Sequence, residues 1–384
     1  MSIFDSEGNV FSNAYDCNGN LIRGVFDSAG FLMSGDYTKY SSEYERNILL
    51  ARDSWIAEAR EDETIIPLVI HTDQHGQLKA DNTLFPYLAK AVPWEDVSAC
   101  IGLGDTTDYN LSRFQAMETC LSSIPKDKQI NIWGNHDTWH DGKADNPALQ
   151  EEHLTVLNTY FDNSAFNGNH KFNDYGIECM IDEERNIKYV VIGGWEYDVN
   201  LGGYSYGYTY YVIGPDSMDA IIQMLSANDG YDIVILSHIQ PFATQTADSW
   251  TYPPAEGGTQ GGSGGMHYSV GTVVRAEKTR LDQMLKDRQN RASGTVKDSY
   301  QNVHTYDFTN CTGNILACFA GHEHCDKYMY QNDNIPIYLF DAYAYDKRPF
   351  YFVNINRTQG CMNIWKIDMT PNVYNYTIPL QITE

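Results

Sequence analysis

Residues that commonly bind divalent metals recur along this chain just after short apolar segments, each with the length and composition of a buried β-strand. Five such segments lead into a polar stretch that contains Asp, Asn or His. The stretches are Thr72-Asp73-Gln74-His75, Gly104-Asp105-Thr106-Thr107-Asp108, Gly134-Asn135-His136-Asp137, Ser237-His238 and Gly321-His322-Glu323-His324. Because ligand sites in α/β layers form outside the carboxyl ends of strands, we expect these side chains to share one site.

Each stretch taken alone has an ordinary explanation. Asp-x-His and Gly-Asp are common in turns, and a single histidine after a strand is more often a core residue with satisfied hydrogen bonds. Gly-His-x-His is more specific, because alternate residues of an extended chain share a face and both imidazoles could reach one site. Five stretches in equivalent positions favour a common function over coincidence.

The residue types also indicate which metals would bind. Mixed carboxylate, amide and imidazole ligands suit Mn, Fe, Zn, Co or Ni rather than Ca or an all-sulfur site. Two such ions about 3.5–4 Å apart can clamp the attacking and leaving oxygens of an in-line displacement at phosphorus. A hydroxide shared by both ions is nucleophilic near neutral pH, because the metals acidify the water from which it forms. These residue types therefore predict a site for divalent metal ions, and the number of ions and the hydrolysis of a phosphate ester are what the family resemblance described next implies.

The order of the five stretches resembles that of the calcineurin-like metallophosphoesterase superfamily, and the resemblance covers residues 65–324. One mild departure is that His71-Thr72 precedes Asp73, where small residues or Ser are common in the family. The resemblance implies a four-layer α/β fold, in which a β-sandwich of mixed sheets is flanked by helices and carries two metals at one edge.

The resemblance further implies a role for each residue of the site. Asp105 would bridge the two metals, and His136 would lie beside the scissile phosphate without binding metal. Held by Asp108, His136 would stabilise the phosphoryl oxygens or protonate the leaving group. Asp137 we interpret as a structural partner. The remaining ligands would be Asp73, His75 and His324 for the first metal, and Asn135, His238 and His322 for the second.

Apolar segments alternate with helical patterns over most of the chain, as is typical of a layered α/β domain. The pattern predicts strands at 65–70, 99–103, 130–133, 189–192, 233–236, 315–319 and 335–340, and helices at 42–60, 111–121, 149–161, 218–225 and 273–285. Residues 350–367 have a hairpin pattern, so we expect mixed sheets. We assign 37–384 to the catalytic domain, with insertions at about 139–175 and 240–271. The second insertion is rich in glycine, and an active-site lid and a passive surface loop are both open interpretations.

The first 36 residues contain an eleven-residue repeat in which an aromatic residue is followed by Asp, two spacers and Gly. The repeats begin at Phe4, Tyr15 and Phe26. Asp-x-x-Gly supplies turn chemistry between apolar flanks, so we expect short β-hairpins. We interpret residues 1–36 as a structural extension, and an attachment or homo-oligomerisation element is the alternative.

The overall charge limits the range of partners. With 26 Lys and Arg against 51 Asp and Glu, the net charge is −25, which disfavours extended nucleic acid and anionic membranes as partners. The first residues, MSIFDSEGNV, show no signal-peptide pattern, and no apolar run reaches the length of a membrane span. We therefore expect a cytoplasmic or phage-particle-associated protein. The eight scattered cysteines include no CxxC pair and indicate reduced thiols.

These observations predict a metal-dependent hydrolase acting on phosphoric ester bonds. We expect a phosphodiester substrate, because the two insertions and the 28 Tyr, 15 Phe and 7 Trp residues suit an organic ligand. Manganese is among the candidate metals. A nucleotide or nucleic-acid phosphodiesterase and a phosphomonoesterase are the enzymatic alternatives. A structural or binding component of a phage-like assembly is the alternative from another class.

Overall fold

The computed structural model describes two parts of the chain. The main part runs from residue 43 to 380, except for 77–83, 108–109, 135, 138–146, 194–212, 240–271, 323, 325, 332–334, 342–348 and 368–372. The other part comprises six short strands within residues 3–35: β1 (Ile3–Phe4), β2 (Val10–Phe11), β3 (Ala14–Tyr15), β4 (Leu21–Ile22), β5 (Gly24–Phe26) and β6 (Leu32–Gly35).

Each eleven-residue repeat forms one antiparallel hairpin, so the prediction of hairpins is confirmed. The pairs are β1–β2, β3–β4 and β5–β6. The register follows the sequence repeat, because the aromatic residue before Asp-x-x-Gly always pairs with the apolar residue after it. These residue pairs are Phe4–Val10, Tyr15–Leu21 and Phe26–Leu32.

Six helices and fifteen further strands make up the main part. The helices are α1 (Glu43–Glu61), α2 (Leu84–Ala91), α3 (Leu111–Leu121), α4 (Pro147–Tyr160), α5 (Pro215–Ser226) and α6 (Thr272–Gln289). The strands are β7 (Ile65–His71), β8 (Ala99–Leu103), β9 (Gln129–Ile132), β10 (His170–Lys171), β11 (Ile177–Asp182), β12 (Ile187–Ile192), β13 (Asp232–Leu236), β14 (Ser293–Lys297), β15 (Val303–Asp307), β16 (Ile315–Ala320), β17 (Lys327–Gln331), β18 (Ile335–Leu339), β19 (Phe350–Asn356), β20 (Cys361–Ile367) and β21 (Val373–Pro379). Every predicted helix and strand is present, whereas α2, β10, β11, β14, β15, β17 and β21 were not predicted.

Two large mixed sheets carry the fold. The first has the order β21-β20-β19-β7-β8-β9, and the second has the order β10-β11-β12-β13-β16-β18-β17. In the first sheet β7, β8 and β9 are parallel, while β19, β20 and β21 run antiparallel to their neighbours. In the second sheet β12, β13, β16 and β18 are parallel, with antiparallel strands at both edges.

The two sheets pack face to face, and alternation along each strand decides which apolar layer a side chain joins. From β7, Ile66 and Ile70 enter a layer that also contains Val234 and Phe319 of the second sheet. Val69 of the same strand points away from that layer and packs among helix residues. Because both faces are covered, all seven residues of β7 are buried, which explains its continuous apolar sequence.

Helices cover the outer faces of the sandwich. Trp55 of α1 stacks on Phe352 with ring centroids 4.4 Å apart, and its indole N–H donates to the carbonyl oxygen of Val353 at 3.1 Å. On the other side, Lys188 of β12 donates from Nζ to the carbonyl oxygen of Met224 in α5 at 3.2 Å. The predicted four-layer fold, a mixed-sheet β-sandwich flanked by helices, is confirmed.

The parallel strands bring the five polar stretches to one edge of the sandwich. Three of these stretches follow β7, β8 and β9 of the first sheet, and the other two follow β13 and β16 of the second. Backbone hydrogen bonds tie neighbouring loops together, from Asp73 N to Gly104 O at 2.9 Å and from Gly321 N to His238 O at 3.0 Å. The candidate site therefore lies where the two sheets meet, and each sheet contributes side chains to it.

Two further expectations concern thiols and membranes. In the described part of the chain, Cys100, Cys120, Cys179, Cys311 and Cys318 are free and buried, and Cys361 is free and half-buried. These residues form no disulfide with one another, as reduced thiols require, and Cys17 and Cys325 lie outside the described residues. None of the described helices is long and apolar enough to cross a bilayer.

Candidate metal centre

Hydrogen bonds between loops hold the site together. The backbone N–H of His75 donates to Asp105 O at 2.9 Å. The backbone N–H of His136 donates to Asp105 Oδ1 at 2.7 Å, and that of His322 donates to Asp73 Oδ2 at 2.9 Å. Each bond links loops that follow different strands. Hydrogen bonds between the loops therefore hold the backbone of the site in place.

Left-handed backbone conformations are concentrated at this site. Of the eight non-glycine residues with positive φ in the described chain, five are predicted ligands. Each such conformation costs on the order of 1–2 kcal/mol and persists only where surrounding contacts offset it, as is common at functional sites. The five residues are Asp73 (52°), His75 (45°), Asp105 (50°), His322 (70°) and His324 (52°).

Glycine is required where two of the loops approach other site residues. A Cβ atom on Gly134 would lie 2.5 Å from Asp105 N and 2.7 Å from His238 Cδ2. A Cβ atom on Gly321 would overlap the side chains of Thr72 and Asp73. The Gly that precedes Asn135 or His322 in the motifs thus allows the loops of the two sheets to touch.

The first group of possible ligands surrounds Asp73. His324 Nε2 lies 3.1 Å from Asp73 Oδ1 and 3.2 Å from His75 Nε2. His75 Nε2 is 4.0 Å from the same Asp73 oxygen. Donor atoms bound to one ion at about 2.0–2.2 Å are separated by roughly 3–3.5 Å, so this spacing suits a shared metal. These three side chains were predicted to bind the first metal, and the structure brings them together.

The second group surrounds Asp105 and is fully buried. His238 Nε2 lies 3.1 Å from Asp105 Oδ2, and its Nδ1 lies 2.7 Å from the carbonyl oxygen of Leu103. Since a carbonyl oxygen only accepts, Nδ1 carries the proton and Nε2 faces the carboxylate. The rings of His238 and His322 meet edge to face with centroids 5.2 Å apart. Asp105, His238 and His322 together form a possible metal-binding group.

Asp105 lies between the two groups, as the predicted bridging role requires. Its Oδ2 atom is 3.9 Å from His75 Nε2 of the first group and 3.1 Å from His238 Nε2 of the second. This oxygen is buried, and imidazole nitrogens approach it from both groups. A buried carboxylate oxygen that faces imidazole nitrogens is an environment that a cation would stabilise. The residues present therefore fit a metal.

His136 occupies the mouth of the site. Its side chain is 22% exposed, against 1% for Asp105, and its Nε2 lies 4.0 Å from Asp105 Oδ2. The His136 and His75 rings meet edge to face at 4.5 Å. His136 could complete a further group with His75 and Asp105, so its assignment as a non-ligand stays a prediction. Asn135 and Asp108 lie outside the described residues, and their predicted roles stay predictions as well.

Asp137 ties two loops together from behind the site. Its buried carboxylate accepts from Gly134 N at 2.9 Å, Thr107 N at 2.7 Å and Thr106 N at 3.1 Å. Burial, and then the negative charge of Asp105, raise the pKa of Asp137 to about 7, while these hydrogen bonds act in the opposite direction. The contacts agree with the structural role that we predicted for Asp137.

The electrostatics of the centre favour charged forms. Burial alone would raise the pKa of Asp73, but His238 and His324 outweigh it and lower that pKa to about 2. Burial likewise opposes ionisation of Asp105, yet His238 holds its pKa well below the usual range. Burial lowers the pKa of His238, and the charge of Asp105 reverses this and raises it to about 9. In the metal-free protein, a proton on His238 thus replaces part of the positive charge that a metal would bring.

Two supporting contacts were not predicted. The hydroxyl of Thr72 donates to Asp73 Oδ2 at 2.7 Å, and the Leu103 carbonyl orients His238. Thr72 could have been suspected because it directly precedes a predicted ligand, but a backbone carbonyl leaves no sequence signal. His304, which lies in no motif, is not part of the metal centre. Its Nδ1 is 2.6 Å from Asp219 Oδ1, and its Nε2 is 3.2 Å from Asp298 Oδ2.

Comparisons with known proteins find distant similarity to solved structures. No family model matches the chain, and no curated protein matches it. One similar solved structure is a dimetal phosphatase from Danio rerio, with 11% identity over 82% of this chain and 98% of that chain, and a TM-score of 0.48. Another is GAP50, the anchor in the inner membrane complex of Plasmodium, with 11% identity over 83% and 90% of the chains and a TM-score of 0.41.

Proposed function

We propose that this protein is a dinuclear-metal-dependent phosphoesterase of the calcineurin-like type. The observation that carries the proposal is the position of Asp105 Oδ2. It is buried and lies between two groups of possible metal ligands, 3.1 Å from His238 Nε2 on one side and 3.9 Å from His75 Nε2 on the other. A carboxylate shared by two such groups is the arrangement that a two-metal site requires.

The proposed ligand sets follow from the two groups. Asp105 is the shared ligand, and Asn135 is proposed to complete the second set. When bound, two divalent ions would supply positive charge to the phosphoryl oxygens and acidify the attacking water. The other ligands would be Asp73, His75 and His324 for one ion, and His238 and His322 for the other.

The protein's own residues provide the rest of the chemistry. His136 is 22% exposed and its Nε2 lies 4.0 Å from Asp105 Oδ2, so the ring is both close to the proposed shared ligand and accessible to a substrate. From that position an imidazolium could donate a hydrogen bond to a phosphoryl oxygen or a proton to the leaving oxygen. Asp108 is proposed to hold this ring. The Asp137 carboxylate and the inter-loop hydrogen bonds keep the loops in place without taking part in the reaction.

We propose a phosphodiester as the substrate, with a phosphomonoester or a nucleotide as the alternatives. The support comes from the sequence, whose two insertions and aromatic content suit an organic group on each side of phosphorus. Hydrolysis of bis-p-nitrophenyl phosphate and p-nitrophenyl phosphate separates these cases directly. We expect turnover that is abolished by a chelator, restored by Mn²⁺ and faster on the diester.

A matched pair of variants sharpens this experiment. Asp105→Asn should lower turnover more than about a hundredfold. Mutating a residue that only orients a metal ligand typically costs about 10–100-fold in activity, and Asp105 is proposed to bind both metals directly. Asp298→Asn is the control, since Asp298 is also buried and contacts a histidine, His304 at 3.2 Å, away from the centre. Absence of metal-dependent turnover on both esters, or equal losses in both variants, would contradict the proposed function.

The repeated register of the N-terminal hairpins supports a second proposed role. Three consecutive hairpins have equivalent residue pairs, so the same small unit is repeated three times in the sequence. Hairpins of this size bury little apolar surface by themselves, so they need a surface to pack against. We propose residues 1–36 as an attachment or oligomerisation element that can coexist with catalysis.

A further inference from the structure

A buried cluster of charged and phenolic side chains lies behind the Gly-His-x-His stretch. It contains Asp326, Asp341, Tyr351 and Lys366, and we refer to these four residues as the inter-sheet cluster. Asp326 and Lys366 are each only 1% exposed. Neither residue was predicted as functional, and neither belongs to the proposed ligand sets.

Hydrogen bonds within the cluster join one sheet to the other. Lys366 of β20, in the first sheet, forms ion pairs with Asp326 and, at 3.0 Å, with Asp341, which flank β17 and β18 of the second sheet. The hydroxyl of Tyr351, in β19 of the first sheet, donates to Asp326 Oδ1 at 2.6 Å. The backbone N–H of Asp341 donates to the same oxygen at 3.2 Å.

A contribution to folding stability does not by itself explain why these charged residues are buried. Removing two charges from water is costly, and well-packed apolar residues in place of a buried ion pair are often as stabilising. What a buried ion pair does provide is geometric constraint, because each carboxylate oxygen must stay within hydrogen-bond distance of its donors. The cluster thus fixes the position of one sheet relative to the other at this edge.

That constraint acts directly on the metal centre. Asp326 is two residues after His324, and Tyr351 pairs across the sheet with Ile70, three residues before Asp73. Lys366 pairs in turn with Tyr351 on the next strand. The bonds to Asp326 therefore connect the chain just after one ligand to the strand just before another.

The Gly-His-x-His stretch is consequently held at both ends. On its N-terminal side, Gly321 N donates to His238 O at 3.0 Å, and His322 N donates to Asp73 Oδ2 at 2.9 Å. On its C-terminal side, Asp326 is bonded to Lys366 and Tyr351 of the first sheet. The left-handed conformation of His324 between these points, with φ of 52°, requires such support.

We propose that Asp326 and Lys366 are positioning residues for the metal centre: they hold His322 and His324 of the second sheet in register with Asp73 of the first. This inference rests on the proposed function in that it assumes a metal at the site. It goes further by assigning a role to a buried ion pair that lies outside the proposed ligand sets.

The test uses Co²⁺ as a probe of the intact chain. Co²⁺ is titrated into the metal-free protein by calorimetry, and the visible absorption of the bound ion reports its ligand geometry. Asp326→Asn keeps the side-chain shape and an oxygen that can accept from Tyr351, while removing the charge. Lys366→Met removes the other charge. In both variants we expect Co²⁺ affinity to fall about 10–100-fold and the absorption bands to change.

Lys188→Met is the matched control. Lys188 is 2% exposed and also forms an ion pair, with the partly exposed Asp229, but it lies near the start of β12 at the opposite end of the sandwich. We expect this variant to lose thermal stability while its Co²⁺ affinity and absorption spectrum stay as in the wild type. This separates a positioning role from a general contribution to stability.

The outcomes are distinct. Wild-type Co²⁺ affinity and absorption in Asp326→Asn would overturn the inference, even if Lys366→Met failed to fold. Equal changes in Lys188→Met would also overturn it, because the effect would then follow stability. If the wild-type protein binds no Co²⁺ or Mn²⁺, the proposed function fails and this inference fails with it.

Discussion

His238 Nε2 lies 3.1 Å from Asp105 Oδ2, and this contact joins the two sheets at the centre of the site. Asp105 follows β8 of the first sheet, and His238 follows β13 of the second. Because the His238 Nδ1–H donates to the Leu103 carbonyl, a neutral ring would direct a lone pair at the carboxylate. Two acceptors at this distance need a proton or a metal ion between them.

Metal affinity should depend on pH through His238. Burial lowers its pKa, but Asp105 raises it from 6.5 to about 9, so the proton stabilises the metal-free fold fully below pH 6.5. This stabilisation is lost as pH rises through about 9. Because a metal must displace the proton, we expect affinity to rise about tenfold per pH unit between about pH 7 and 8.5. Calorimetry in buffers of different ionisation enthalpy should detect about one proton released, and an affinity independent of pH would contradict this.

Gly134→Ala should prevent metal binding by steric overlap. The added Cβ would meet Asp105 N at 2.5 Å and His238 Cδ2 at 2.7 Å, so the loops of the two sheets must separate. Gly360→Ala is the control, because Gly360 has φ of 62° but no atom within 4 Å of the added Cβ. We expect the control to lose about 1 kcal/mol of unfolding free energy and to keep its metals. Elemental analysis of both purified variants, with their unfolding curves, checks the prediction. Two metals per chain in Gly134→Ala would show that the close approach is unnecessary.

His136→Ala and Asn135→Ala should separate chemistry from metal binding. We expect His136→Ala to retain both metals and to lose turnover about 10²–10⁴-fold, the usual contribution of a positioned acid or base. Asn135→Ala should lose part of its metal content. The measurement is metal content per chain together with kcat on bis-p-nitrophenyl phosphate. Because His136 Nε2 is 4.0 Å from Asp105 Oδ2, a loss of metal in His136→Ala would instead identify it as a ligand.

Deletion of residues 1–36 tests the proposed role of the hairpins. If they form an attachment or oligomerisation element, the shortened protein should change its oligomeric mass while keeping metal-dependent turnover. Light scattering after gel filtration gives the mass, and the ester assay gives the turnover. An unchanged mass would leave the hairpins as a structural extension. Lost turnover together with lost thermal stability would show that they are part of the catalytic fold.

Much of the site was predictable because the relevant signal is local. Apolar segments followed by Gly-Asp or Gly-His predicted both the strands and the residues at their ends, and Asp105 and His238 come into contact as expected. The local pattern does not encode which parallel strands pair, so it could not show that the ligands come from two sheets. The left-handed conformations of five ligands were also not predictable, since only the assembled loops stabilise them.

Other parts of the structure had weak or misleading sequence signals. Helix α2 has a proline in its first turn, and β14 and β15 are short and largely polar, so neither pattern was recognised. Lys366 lies in an otherwise mainly apolar strand, and because lysine is rarely buried, the local sequence predicts that it faces solvent. Its partners Asp326 and Asp341 are 40 and 25 residues away in the sequence, and only the packing of the two sheets brings them together.

The most direct test is a metal titration followed by turnover. Metal-free protein receives Mn²⁺ in sub-stoichiometric steps while hydrolysis of bis-p-nitrophenyl phosphate and bound metal are both recorded. Two groups of donors that share Asp105 predict saturation at two ions per chain, with full activity only when both are bound. Saturation at one ion with full activity, or binding of two ions without hydrolysis of either the diester or the monoester, would contradict the two-metal phosphoesterase account.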